Sequence, residues 1–84
     1  MPPSVTRQFV HWRGPLAEKM ALQRKLTSDC AKWRVVIWLE PASLDRALHG
    51  AQMLQSLCPS EWRLVDVHPH RVIGELLFTS ENNE

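Results

Sequence analysis

The chain has 84 residues, 44% of them hydrophobic and 23% charged, a balance that fits one folded domain and excludes a disordered or fibrous polymer. Gly14, Gly50 and Gly74 are its only glycines, so it holds no glycine-rich phosphate loop. The longest unbroken apolar run, Val35–Leu39, is far too short to span a bilayer.

The N-terminus lacks the basic start, apolar stretch and small-residue cleavage site of a signal peptide, so a cytoplasmic location is expected. Cys30 and Cys58 stand far apart with no CxxC. Both fall on apolar stripes of expected helices, which predicts two reduced, buried thiols rather than a disulfide framework. The net charge of +1 conceals an asymmetry. Residues 1–34 hold seven Lys or Arg against two acids, a net +5, and residues 35–84 hold three against seven, a net −4.

In chain order, Val5–Trp12 alternates weakly and predicts an edge strand over 5–12. Gly14-Pro15 breaks it, and Pro15 suits the first turn of a helix. From Leu16 to Cys30 a helical turn gathers Leu16, Met20, Leu22, Leu26 and Cys30 on one arc. Arg24, Lys25 and Ser28 then face outward, as on an amphipathic helix over 15–30 with a basic outer face. Trp33–Glu40, WRVVIWLE, is a nearly continuous β-branched and aromatic run, which predicts a strand covered on both faces with Trp38 in the core.

Pro41-Ala42 ends that strand. Ser43 is a good N-cap, and Asp45 stands where the helix dipole favours an acid. Leu44, Ala47, Leu48, Ala51, Leu54 and Cys58 make one narrow stripe, predicting a helix over 43–58 that Pro59 closes. Strands follow near 62–67 and 72–79, with a polar tail over 79–84. The order β-α-β-α-β-β predicts a single α/β domain, two helices packed on a four-stranded mixed sheet whose other face is open.

His68-Pro69-His70 is the one stretch that resembles chemistry. A metal site needs three or four converging ligands, two histidines supply half of that, and Pro69 between them favours a hairpin turn. Cys58 with His68, or Asp66 with Glu75, can be drawn as catalytic pairs. The thiol belongs to the expected buried stripe, however, and acids on sheet surfaces ordinarily face solvent. No catalytic residue, metal or cofactor is assigned, and the chain is not expected to be an enzyme.

Val35–Val67, VVIWLEPASLDRALHGAQMLQSLCPSEWRLVDV, resembles the β-α-β opening unit of thioredoxin-like domains. Redox members carry a CxxC at the strand-to-helix turn, where this chain has Pro41-Ala42-Ser43-Leu44. The resemblance therefore implies a redox-inactive domain that acts by binding partners, as in the KaiB circadian clock proteins. No Thr-Pro element follows the unit, and residues 1–34 have no counterpart before it.

Two classes of function remain. Trp12, Trp33 and Trp62 stand at strand ends beside Arg13, Arg34 and Arg63, the residue types enriched at interface hot spots. Trp12 and Arg13, with Arg24 and Lys25 on the helix face, are the expected protein-binding patch for an acidic partner. The expected function is a small regulatory or adaptor protein that binds and modulates another protein, as a homodimer or in a hetero-complex. The alternative is nucleic-acid binding by the basic residues 1–34.

Overall fold

Met20 and Leu22 are almost completely buried, at 0% and 1% exposure, and the segment that carries them is a strand. The computed structural model describes residues 5–25 and 32–81. In chain order the elements are β1 (Val5–Trp12), β2 (Met20–Lys25), β3 (Arg34–Leu39), a 3₁₀ turn (Pro41–Ser43), α1 (Leu44–Leu57), β4 (Glu61–Asp66) and β5 (Arg71–Glu81). One sheet runs in the order β1-β5-β4-β2-β3, and every neighbouring pair is antiparallel. The chain is thus a small compact α/β domain with five strands and one helix. Its thinnest extent, 19 Å, is what one sheet and one helix layer occupy.

The helix expected over 15–30 does not form in its described part: residues 15–19 are irregular and Met20–Lys25 make β2. Ala21, Leu22, Gln23, Arg24 and Lys25 are good helix formers, but Met20 and Leu22 are also two apart, and tertiary pairing decides between the two periods. β2 is hydrogen-bonded on both sides, to β3 and to β4, and Met20–Gln23 are all buried. Leu26, Ser28 and Cys30 lie outside the described residues. The sheet is consequently wholly antiparallel and not mixed. β3 and β4 run parallel on either side of β2, with α1 as their crossover.

β1 matches its expected bounds, and β5 runs further than expected. Its ladder with β1 continues to Val5 opposite Glu81, so the polar residues from Thr79 extend the strand. The helix of the second half is also as expected, with Leu44, Ala47, Leu48 and Ala51 buried against the sheet and Asp45 in the first turn. Ser43 holds the N-cap position without a side-chain cap bond. The far end of the stripe runs past the core: Leu54 is partly exposed and Cys58 is an exposed free thiol. The expectation of a buried Cys58 is corrected, because the helix ends there in extended backbone with the Cys58 N–H on the Leu54 carbonyl.

α1 lies across one face of the sheet and touches both β1 and β3. Beneath it Met20, Leu22, Leu39, Trp62, Leu64, Ile73 and Leu76 form the core, with Val10 and Phe78 packed at its margin. The other face is open in part: the directly opposed pair Phe9 and Leu77 are each 54% exposed, whereas Ala21 and Val65 on the same face are buried. Among the described residues no helix is long and apolar enough to cross a membrane.

Candidate interaction site

β3 departs furthest from its sequence reading. A run of this composition fits a strand covered on both faces, yet β3 stands at the end of the sheet with β2 as its one neighbour. Val35, Val36, Ile37 and Trp38 are 39%, 41%, 45% and 64% exposed. Trp38 is therefore not core, and among the described residues no strand pairs with the outer edge of β3.

A hydrogen-bonding edge flanked by four apolar side chains is what folded proteins ordinarily guard with charge, proline or a covering loop. The opposite edge strand, β1, carries such a guard in the charged Arg7. β3 has none between Arg34 and Glu40.

A bulge sets how β3 presents its side chains. Leu22 opposes Ile37 and Gln23 opposes Val35, leaving Val36 as the extra residue. Leu39, Ile37 and Arg34 lie on the helix side of the sheet, and Trp38 and Val35 on the open side. On the helix side a groove of about 330 Å³ separates β3 from α1, lined by the apolar Ile37, Ala47, Ala51 and Leu54 and by the polar Ser43 and Arg46. Edge and groove together make one strip that is apolar except for Ser43 and Arg46. Arg34 bounds it at one end, directly opposite the like-charged Arg24 of β2, and Glu40 bounds it at the other. Neither Arg34 nor Glu40 has an ionic partner among the described residues.

The four residues expected to form a binding patch do not converge. Arg24 and Lys25 belong to β2 and not to a helix face, while Trp12 closes β1. Three strand spacings, about 14 Å, separate the two pairs. Arg13 Nη2 bridges Glu75 Oε1 at 2.6 Å, and Lys25 Nζ bridges Glu61 Oε2 at 3.0 Å. The Arg24 guanidinium lies 5.6 Å from the centroid of the Trp62 ring. Two of the seven bases of the first half, Arg13 and Lys25, thus meet acids of the second half.

The aromatic–arginine neighbours of the sequence are real contacts with different pairings. Trp33 stacks beneath Arg63 at 4.2 Å and has Lys25 at 5.6 Å. Arg63 Nε also donates to Gln23 Oε1 at 2.8 Å, and burial holds the Arg63 pKa below its ordinary value. A cavity of about 410 Å³ opens beside this cluster, and the Gln55, Glu61, Arg63 and Glu75 side chains that line it are each bonded to a neighbour.

Residues 67–70 form the turn between β4 and β5, as expected for His68-Pro69-His70, with His68–Pro69 cis. Asp66 anchors it by accepting from the His68 backbone N–H at 2.9 Å and from Arg71 Nε at 3.4 Å. Among the described residues no three His, Cys, Asp or Glu side chains gather into a metal-ligating group. Residues 35–67 do hold a strand, a helix and a strand in that order, within β3, α1 and β4, but the two strands are not neighbours because β2 lies between them. Compared with protein-family models, with curated proteins and with solved structures, the chain matched none.

Proposed function

We propose that this chain is a non-catalytic interaction protein that binds another protein chain by strand addition at the outer edge of β3. One observation carries the reading: Val35–Trp38 is an exposed apolar run on a sheet edge that no strand among the described residues pairs. Strand addition draws its affinity from main-chain hydrogen bonds and its selectivity from pockets that take alternate side chains. The β3 edge supplies the bonds, and the groove against α1 takes the side chains on one face. The patch expected at Trp12, Arg13, Arg24 and Lys25 has less support, because its two halves stand apart and three of its four side chains are already engaged. Nucleic-acid binding by the basic residues 1–34 is the second reading, with less support because Arg13 and Lys25 are paired with acids.

A photoreactive residue at position 38, activated in the native cell, tests the proposal. Adducts with a protein chain are expected from position 38 and not from position 49 on the exposed side of α1. Equal labelling at both positions, or none at position 38, contradicts it.

A further inference from the structure

We infer that the partner of β3 is β3 of a second copy, the two strands joining antiparallel about a two-fold axis to make one ten-stranded sheet. The inference rests on the strand-addition reading above and adds its occupant and register.

Three observations point to a second copy. The first is charge. Antiparallel self-pairing sets the basic end of one strand beside the acidic end of the other. Arg34 of each copy then lies at the same end of the ladder as Glu40 of the second copy. Both side chains lack an ionic partner among the described residues, and the pairing brings Glu40 of the second copy to the ladder end that holds Arg34 and Arg24, with Glu40 on the open side and Arg34 on the helix side.

The second is register. In the pairing that overlaps all of Arg34–Leu39, Arg34 opposes Leu39 of the second copy, Val35 opposes Trp38, and Val36 opposes Ile37. Opposed residues of antiparallel strands must share a face. Because Val36 is a bulge residue, Arg34 and Leu39 are both on the helix side, and Val35 and Trp38 are both on the open side. Without the bulge this full-overlap register would set every pair on opposite faces.

The third is the arrangement of the layers. A two-fold axis normal to the sheet keeps both α1 helices on one side, where each borders its own groove next to the shared strands. The exposed Leu54 of each copy flanks the junction. On the other side Val35 of each copy covers part of Trp38 of the second, the most exposed side chain of the run.

Charge reversal tests both occupant and register. The variants Arg34→Glu and Glu40→Arg are each measured alone and mixed in equal amounts by sedimentation equilibrium, with circular dichroism to confirm the fold. Wild type is expected to be a dimer. Each variant alone places like charges at both ends of the ladder, and its self-association is expected to weaken roughly tenfold or more. The mixture restores opposite charges at both ends and is expected to recover the dimer. A wild-type dimer whose variants associate unchanged, or whose mixture shows no recovery, overturns the inference. A monomeric wild type that still gives adducts at position 38 with a different protein overturns self-pairing and leaves strand addition standing. A monomer with no such adducts overturns both.

Discussion

The indole Nε1 of Trp62 donates to Gln55 Oε1 at 2.9 Å, and the Ser60 backbone N–H donates to the same oxygen at 2.9 Å. One amide oxygen thus ties the last turn of α1 to the first residues of β4, across the connection at Cys58-Pro59. Trp62 is almost fully buried, at 2% exposure. Replacing Gln55 with Ala leaves that donor unpaired and is expected to cost about 1–3 kcal/mol in urea unfolding. A Gln55→Glu variant keeps an acceptor and is expected to lose less.

Gly74 is required by close packing. A Cβ placed there would lie 3.1 Å from Val10 Cγ1 and 3.2 Å from two ring carbons of Trp12, the residue that faces Gly74 on β1. Gly74→Val is expected to destabilise by about 1–3 kcal/mol, the usual cost of overpacking, in the same unfolding measurement. The loss is expected to be smaller when Trp12 is also replaced by Ala, because that removes one of the two neighbours.

Arg63 lies between Gln23 and Trp33, donating to the first and stacking on the second. Gln23 is itself buried. Arg63→Ala strips the amide oxygen of its bond and the indole of its cation, and a loss of about 1–3 kcal/mol is expected. A change in tryptophan fluorescence should accompany it. Arg63→Lys keeps the charge without the planar stack and is expected to recover only part of the loss.

Trp12→Ala with Arg13→Ala separates the interface on β3 from the patch expected on sequence grounds. Both residues lie near the far edge of the sheet, and the Arg13–Glu75 pair is exposed, so its removal is worth about 0–1 kcal/mol. The double variant is expected to self-associate as wild type does. A dimer lost in this variant, with the fold intact by circular dichroism, moves the interface to β1.

The second half of the chain was legible because its signals are local. The α1 stripe, Pro41 and Pro59 at its ends and the turn at His68–His70 each stand in a few consecutive residues. β2 was not legible. Met20–Lys25 carries both a helical and an alternating pattern in residues of high helix propensity, and what decides is pairing with β3 and β4. The candidate site was hidden for a related reason. An apolar strand covered on both faces and an apolar strand left open at an edge read alike in sequence, because the difference lies in whether a neighbouring strand is present. The charges that close the run, Arg34 and Glu40, were the one local hint that it ends in solvent on both sides.

Backbone hydrogen exchange along Arg34–Leu39 as a function of protein concentration tests the central claim most directly. If β3 pairs with a second copy, its outward-facing amides are shielded at high concentration and become freely exchanging on dilution, while the amides of β2 and β4 stay protected throughout. Outward β3 amides that exchange fast at every concentration contradict the account.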